Sequence, residues 1–165
     1  MKHRVIVVGG GNVGNVEERL DRAATLITER IGTVINRSKI YRSEAWGFTS
    51  AMQFCNVAYV VDTELSASEV VDMLHAIETE LGRNRTEEYR AKALSGEKYA
   101  ERVIDLDVAL YDKERIVTPH LMIPHVGLLH RDFFIKPVCE VLGYDRESLE
   151  REITEIINAN SEDDE

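Results

Sequence analysis

The chain has 165 residues, a length that fits one domain and leaves too little for a dinucleotide-binding domain plus a substrate domain. Its 20 basic and 30 acidic residues give a formal net charge of −10, which disfavours nucleic acids and acidic membrane surfaces as partners. No run is apolar enough to cross a membrane, and the first residues do not resemble a signal peptide. Two cysteines without metal-ligand spacing are typical of a reducing compartment, so we expect a cytoplasmic protein.

The first segment raises the possibility of a dinucleotide cofactor. A strand predicted over Arg4–Val8 runs into the glycines of Gly9–Gly14, and a helix predicted over Val16–Ile31 follows. This G-x-G-x-x-G spacing can bring the backbone close to a pyrophosphate at a helix N-terminus. An NAD-linked oxidoreductase is therefore one hypothesis for the chain, and its test is whether the remaining elements build the matching fold.

The remaining elements predict a different fold. Strands are predicted over Val34–Tyr41 and Phe54–Val61, and a helix then starts at the capping box Ser66–Glu69 and ends before Gly82. The segment 83–102 has no periodicity and is predicted to be a loop, after which Ile104, Leu106, Val108 and Leu110 alternate as a strand. The order βαββαβ predicts an α+β, ferredoxin-like antiparallel sheet with helices packed on it.

Further helices are predicted at the C-terminal end, over Phe133–Leu142 and Ser148–Ala159. The last five residues, Ser161–Glu165, are acidic except for the first. We therefore expect a single domain over residues 1–160 and an acidic disordered tail over residues 161–165.

The last predicted strand carries a pair of carboxylates, Asp105 and Asp107, on the face opposite its apolar residues. Their Cα atoms are expected about 7 Å apart, from a rise of roughly 3.3 Å per residue. A hard divalent cation removes the repulsion between such carboxylates, and Mg²⁺ favours one or two of them together with phosphate oxygens. A magnesium site for a nucleotide phosphate and a solvated polar face are the two alternatives.

Basic residues precede this pair in the predicted loop. Six basic residues stand against four acidic ones there: Arg83, Arg85, Arg90, Lys92, Lys98 and Arg102 against Glu87, Glu88, Glu97 and Glu101. Guanidinium groups fit phosphate oxygens, so the segment is predicted to be mobile and to close over a polyphosphate, the alternative being a mixed-charge surface loop. His125 and Arg131 are further candidates for phosphate contacts.

Aromatic and amide residues suggest a second site. Phe54 and Asn56 lie in one predicted strand, and Phe133 can supply a second ring. Two rings and an amide form a slot for a flat heterocycle, because the rings stack while the amide pairs with the donors and acceptors at its edge. Ordinary core aromatics are the alternative.

Taken together, these motifs resemble the 6-hydroxymethyl-7,8-dihydropterin pyrophosphokinase family. The resemblance runs from Gly10 to about Val141 and depends on three motifs in order: G-R-x-R at Gly82–Arg85, R-x-I-D-L-D at Arg102–Asp107, and P-H followed by R-x-F at Pro124–Phe133. Where the family has Gly-Ser-Asn, this chain has Gly10-Gly11-Asn12, so the resemblance makes the dinucleotide spacing a coincidence.

The resemblance implies an ATP-dependent diphosphotransferase of folate biosynthesis, which produces AMP and the pterin diphosphate and needs no oligomer. It implies two Mg²⁺ ions held by Asp105 and Asp107. The implied catalytic residues are Arg85, Arg102, Asp105 and Asp107. The implied ATP-binding residues are Glu78, Arg83, Arg85, Arg102, His125 and Arg131. The implied pterin-binding residues are Ser43, Glu44, Trp46, Gly47, Phe54, Asn56 and Phe133.

Some positions depart from the family pattern. Tyr99 and Glu101 replace a tryptophan and a proline, and Glu44 and Ala45 replace prolines on the pterin side. A catalytically weakened member that binds nucleotide is therefore one alternative. A non-enzymatic ferredoxin-like binding module is another, although the acidic charge disfavours RNA as its ligand.

Overall fold

Five antiparallel strands form the central sheet in a computed structural model, which describes residues 2–43, 53–96 and 102–162. The strands are β1 (His3–Gly11), β2 (Gly32–Arg37), β3 (Tyr41–Ser43), β4 (Phe54–Thr63) and β5 (Asp105–Tyr111). Their order is β2-β4-β1-β5, with β3 also beside β4, and every pairing is antiparallel. This order makes β5 an edge strand and confirms the expected ferredoxin-like fold.

Helices cover both faces of the sheet. On one face, α1 (Val16–Arg30) and α2 (Ala67–Glu80) bury an apolar core against Val5, Val7 and other sheet residues. On the other face, α5 (Asp132–Leu142) and α6 (Arg146–Glu162) pack against Ile6 and Val8. Alternate residues of β1 therefore enter separate cores, so its run of valine and isoleucine is buried on both sides.

The sequence prediction was accurate for the helices with clear ends. Asn15 caps α1, and Ser66 and Glu69 form the expected capping box at α2. The predicted strand Val34–Tyr41 is instead divided into β2 and β3. The predicted tail also starts too early, because α6 continues through Glu162; residues 163–165 lie outside the described residues.

The prediction of a loop over 83–102 was wrong for its first half, which forms α3 (Arg85–Ser95). Asn84 caps this helix by accepting a hydrogen bond from the Glu87 N–H, and Gly96 ends it with φ of 72°. None of its residues is buried, which explains why no apolar periodicity marks it. The later residues 97–101 lie outside the described residues.

The predicted alternation of β5 fails at its end. Val108 packs in the core of α1 and α2, whereas Ala109 and Leu110 both pack in the core of α5 and α6. The register between β1 and β5 shifts by one residue at this point, a β-bulge that moves Leu110 to the other face. Asp105 and Asp107 precede the bulge and keep their predicted common face.

Short elements complete the fold beyond β5. A hairpin of β6 (Ile116–Val117) and β7 (Met122–Ile123) leads into the one-turn helix α4 (Gly127–His130). In the described parts of the chain, no helix has the length and apolar character needed to span a membrane.

Candidate active site

A row of residues across the sheet aligns the two predicted ligand sites. Gly10 of β1 lies opposite Asp105 of β5 on one side and opposite Asn56 of β4 on the other, and Tyr41 of β3 follows Asn56. Directly paired residues of an antiparallel sheet share a face, so Asp105 and Asn56 lie on the same side. Two strand spacings separate them by about 10 Å.

The glycines have a packing role at this row. A Cβ atom on Gly10 would lie 2.2 Å from Oδ1 of Asn56, and one on Gly11 would lie 2.6 Å from the carbonyl oxygen of Val103. These glycines lie within β1 rather than in a loop before a helix, and β1 has antiparallel partners on both sides. The dinucleotide hypothesis is therefore wrong, because the glycines let neighbouring strands and side chains approach closely.

Asp105 and Asp107 are neighbouring carboxyl groups in different electrostatic surroundings. Burial raises the pKa of Asp107 well above its usual range, and the adjacent Asp105 carboxylate reinforces this effect. Burial acts on Asp105 as well, but Arg102 and Arg83 outweigh it and hold the pKa of Asp105 below its usual value. The pair therefore favours one shared proton or a cation between its oxygens.

Glu78 is a buried carboxylate on α2, with only 1% of its side chain exposed. It accepts hydrogen bonds from the Leu106 backbone N–H at 2.7 Å and from both Arg83 and Arg85, at 2.8 and 2.7 Å. Burial and then Asp105 raise the pKa of Glu78, while Arg83 and the Leu106 N–H oppose the rise. Because Leu106 belongs to an edge strand, Glu78 accepts from a backbone N–H that has no partner strand there, and it also anchors the two arginines.

The guanidinium group of Arg83 is held entirely by carboxylates in its described contacts. Nη1 donates to Glu78 and to Asp105, the latter at 3.1 Å, while Nε and Nη2 donate to the two oxygens of Glu88 at 3.0 and 3.4 Å. Arg102 lies beside the same group, with its Nε 3.9 Å from Glu88 Oε2. The backbone of Arg102 is paired to Asn12 in both directions, at 2.9 and 2.8 Å, which fixes the start of β5.

His125 is fixed on the other side of the aspartates. Its Nδ1 accepts a hydrogen bond of 2.9 Å from the Gly127 N–H, so the proton of the neutral ring lies on Nε2, 4.0 Å from Asp107 Oδ1. The ring stacks on Phe134 with centroids 4.4 Å apart. Burial lowers the pKa of His125, Asp105 opposes this, and the positive charge of Arg131 lowers it further. Arg131, between α4 and α5, is thus close enough to act on the same site.

The predicted heterocycle side is described in part. Asn56 is buried, and its Nδ2 has no hydrogen-bond partner among the described residues, as is also true of the buried Ser43 Oγ. Phe54 and Phe133 are partly exposed. Glu44, Trp46 and Gly47 lie outside the described residues. A buried amide donor without a partner is a feature expected at a site that pairs with a polar ligand.

A small cavity of about 150 Å³ adjoins the aspartates. It lies between α2, β5 and the segment around β7, and its lining is mainly apolar with imidazoles among the polar groups. The lining residues include Val71, Leu74, His75, Leu106, Asp107, Val108, His120, Leu121, Met122, His125 and Val126. The cavity is therefore large enough for a small and mainly apolar group, and a polar extension of that group could reach Asp107.

The donor set fits a hard cation that is shared with a phosphorylated ligand. In the described ranges no three or more His, Cys, Asp and Glu side chains cluster as a metal site, so a cation here would have the Asp105 and Asp107 pair as its protein ligands. Two carboxylates in contact, with the remaining ligands taken from phosphates and water, is the donor set that Mg²⁺ prefers.

Sequence reasoning missed two residues that organise this region. Glu88 appeared only as one acidic charge of a predicted loop, although it binds Arg83. Glu140 of α5 accepts from the Lys39 N–H at 2.8 Å and from the Tyr41 hydroxyl at 2.9 Å, which fastens β3 to α5. Glu140 is about a hundred residues away from these partners along the chain, so no local pattern could have indicated the contact.

Comparison with known proteins gives consistent results. The sequence profile of the 7,8-dihydro-6-hydroxymethylpterin-pyrophosphokinase family matches residues 6–143. A 2-amino-4-hydroxy-6-hydroxymethyldihydropteridine pyrophosphokinase of Porphyromonas gingivalis is 31% identical over 80% of this chain and 86% of its own length. The enzyme of that name from Bacillus subtilis is 29% identical over 86% of this chain and 79% of its own.

Solved structures agree on the fold. A crystal structure of an HPPK-DHPS protein in complex with substrates matches 98% of this chain with a TM-score of 0.60 and 14% identity. A Plasmodium falciparum HPPK-DHPS triple mutant matches 96% with a TM-score of 0.62 and 12% identity. This chain spans less than half of each of those chains, 45% and 44%. On the extent of the profile match, the chain belongs to the 7,8-dihydro-6-hydroxymethylpterin-pyrophosphokinase family.

Proposed function

We propose that this protein transfers the pyrophosphoryl group of ATP to the hydroxymethyl oxygen of 6-hydroxymethyl-7,8-dihydropterin, releasing AMP. The observation that carries the proposal is the row joining Asp105, Gly10 and Asn56. It puts a paired-carboxylate site and an amide with an open donor on one face, about 10 Å apart. That spacing suits a pterin whose hydroxymethyl group extends toward a bound polyphosphate.

ATP has a consistent place beside the aspartates. Its base fits the apolar cavity next to Asp107, and its phosphates then extend past Asp107 toward Arg85, Arg102, His125 and Arg131. Arg85 is 46% exposed, so it can bind a phosphate while its Nη2 stays on Glu78. His125 offers the proton on Nε2 as a hydrogen-bond donor to a phosphate oxygen. In this arrangement Glu78 holds the arginines rather than contacting ATP.

The pterin has a place on the Asn56 side. Asn56 presents its Nδ2 to a ring acceptor, and the partly exposed Phe54 and Phe133 can enclose the ring. Ser43 ends β3 beside Phe54 and adds a hydroxyl. Glu140 contributes indirectly to pterin binding, because it fixes Tyr41, which pairs with Asn56 in the sheet.

The reaction requires an in-line displacement at the β-phosphorus. The hydroxymethyl oxygen forms the new O–P bond, the bond from the β-phosphorus to the α–β bridging oxygen breaks, and AMP leaves with that electron pair. The hydroxyl proton passes to solvent or to the phosphate oxygens. Asp105 and Asp107 would hold two Mg²⁺ ions, and the chemistry supplied by bound Mg²⁺ is neutralisation of the polyphosphate charge. Arg85 and Arg102 provide positive charge that stabilises the negative charge developing on the bridging oxygen as AMP leaves.

The test is a product assay with purified protein. ATP, MgCl2 and 6-hydroxymethyl-7,8-dihydropterin should produce AMP and pterin diphosphate in equal amounts, measured by ion-exchange chromatography and ³¹P NMR. The matched control is 6-methyl-7,8-dihydropterin, which lacks the attacking hydroxyl and should produce no AMP. Formation of ADP with a pterin monophosphate, or no pterin-dependent AMP, would refute the proposal. The second result would favour a nucleotide-binding member without catalysis.

A further inference from the structure

The carboxylate of Glu88 on α3 lies beside two of the predicted phosphate-binding arginines, Arg83 and Arg102. It accepts from Nε and Nη2 of Arg83 at 3.0 and 3.4 Å and lies 3.9 Å from Nε of Arg102. All three side chains are largely enclosed, with 8%, 15% and 19% exposed for Arg83, Glu88 and Arg102. A carboxylate at this depth between two guanidinium groups is more strongly bound than a surface ion pair.

The geometry of this contact resembles that of an arginine bound to phosphate. A guanidinium group donates two parallel hydrogen bonds to a carboxylate or to a phosphate in the same manner, and Glu88 uses both of its oxygens toward Arg83. The Nε of Arg102 is buried and has no hydrogen-bond partner among the described residues. Glu88 therefore satisfies Arg83 but leaves a buried donor of Arg102 open to a further oxygen.

A phosphate and Glu88 are alternatives at this position. Nη1 of Arg83 is already bound to Glu78 and Asp105, and Glu88 takes Nε and one N–H of Nη2, so it occupies the edge that could bind a phosphate through two parallel hydrogen bonds. Two anions on the same guanidinium edge would repel each other in an enclosed site. A phosphate group can satisfy Arg83 and Arg102 together only when the Glu88 carboxylate moves away.

We propose that Glu88 stands in place of a phosphate group of ATP and that nucleotide binding displaces it, so that Glu88 weakens and thereby sets the affinity for ATP. This inference depends on the proposed function, because ATP supplies the phosphate. Glu88 is a positioning residue here: in the absence of nucleotide it keeps Arg83 and Arg102 together and compensates their charge. Its position on α3 makes the exchange local to one helix that has no buried residue.

The neighbouring residue Glu87 provides a matched control. It belongs to the same turn of α3, carries the same charge and is exposed, and its backbone N–H bonds to Asn84. Glu88→Gln and Glu87→Gln each change the net charge by one unit without altering the backbone cap. Any general effect of charge on nucleotide affinity will therefore appear in both variants.

The experiment measures binding of α,β-methylene-ATP with Mg²⁺ by isothermal titration calorimetry. Glu88→Gln should lower the Kd about fivefold, the equivalent of a competing contact of roughly 1 kcal/mol, whereas Glu87→Gln should change it by less than about twofold. In steady-state assays Glu88→Gln should lower the KM for ATP and leave the KM for the pterin unchanged. If Glu88 served only to hold the two arginines in position, Glu88→Gln would raise the Kd, because less ordered arginines would bind phosphate more weakly.

Glu88→Asp is a second test that retains the charge and withdraws the carboxylate by one methylene group. A Kd between those of the wild type and Glu88→Gln supports the displacement. An unchanged or higher Kd in Glu88→Gln, or an equal decrease in Glu87→Gln, overturns it. If the wild type forms AMP and Glu88→Gln binds no tighter, only this inference fails. If the wild type neither binds the nucleotide nor forms AMP, the proposed function fails with it.

Discussion

Asp107→Asn and Asp105→Asn should both reduce activity, but only Asp107→Asn should raise the melting temperature of the ligand-free protein. Both variants, Asp107→Asn and Asp105→Asn, remove a carboxylate from the proposed magnesium site. The loss of one metal ligand should reduce AMP formation by at least about 100-fold in either variant. Stability differs because Asp105 has Arg83 at 3.1 Å, whereas the nearest described basic group to Asp107 is His125 at 4.0 Å.

The magnitude follows from the contact between the two carboxyl groups. At neutral pH the folded protein either keeps both charges or binds a proton that the unfolded chain does not hold, and Asn at position 107 avoids both costs. The upper limit is the repulsion of two unit charges about 4 Å apart, about 1 kcal/mol in water and about 4 kcal/mol in a partly enclosed site. Since the Asp107 side chain is 34% exposed, screening favours the lower part of this range, about 1–2 kcal/mol. Asp107→Asn should therefore raise the melting temperature of the ligand-free protein by about 2–8 °C at neutral pH. Asp105→Asn relieves the same repulsion but loses the attraction between Asp105 and Arg83, so this variant should not have a raised melting temperature.

The measurements are AMP formation at saturating Mg²⁺ and differential scanning calorimetry of the ligand-free variants. Asp72→Asn, an exposed carboxylate on α2, is the control and should change neither property. A lower melting temperature for Asp107→Asn than for the wild type would refute the electrostatic reasoning. Near-normal turnover in either folded variant would show that the pair does not hold the metal.

Three further predictions concern the pterin side. Asn56→Ala should weaken pterin binding by about 1–3 kcal/mol and leave ATP binding unchanged in calorimetry, because it leaves buried partners unpaired; equal losses of both ligands would indicate misfolding. Gly10→Ala should also reduce pterin binding, since its Cβ would lie 2.2 Å from Asn56 Oδ1; unaltered affinity would contradict this packing role. Glu140→Ala should raise the KM for the pterin severalfold while the KM for ATP stays constant, because Tyr41 loses its anchor; partial rescue by Glu140→Gln is expected, and equal changes in both constants would contradict the assignment.

The sequence predicted the fold well where local chemistry is sufficient. The helix α2 begins at a capping box and carries Val70, Leu74 and Ile77 at helical spacing, and all three are buried in the core. The predicted order of strands and helices by itself disfavoured the dinucleotide fold, because that fold needs strands and helices in strict alternation. In contrast, α3 depends on Asn84 and Gly96 at its ends and on no apolar stripe, so a method based on apolar periodicity misses it.

The sequence indicated the residue types of the candidate site but not the contacts among them. Asp105 and Asp107 were identified because a strand has a period of two, which puts both on one face. The partners of Arg83 could not be identified, because Glu78, Glu88 and Asp105 reach it from three different elements. Long-range ion pairs of this kind have no local signature, and they decide whether an arginine is free for a ligand or already engaged.

The spacing of the two proposed substrate sites is a consequence of the core itself. Val5 and Val7 of β1 pack in the core beneath α1 and α2, whereas Ile6 and Val8 pack in the core beneath α5 and α6. A register slip of one residue would exchange the two sets and disrupt the packing of both cores. The same alternation, continued by two residues from Val8, brings Gly10 between Asp105 and Asn56. Because the register cannot slip without losing both cores, the separation between metal-side carboxylate and pterin-side amide is held by the most stable part of the molecule. The side chains that are proposed to exchange partners, such as Glu88, are instead carried by α3, a helix without buried residues that is therefore less firmly packed than β1.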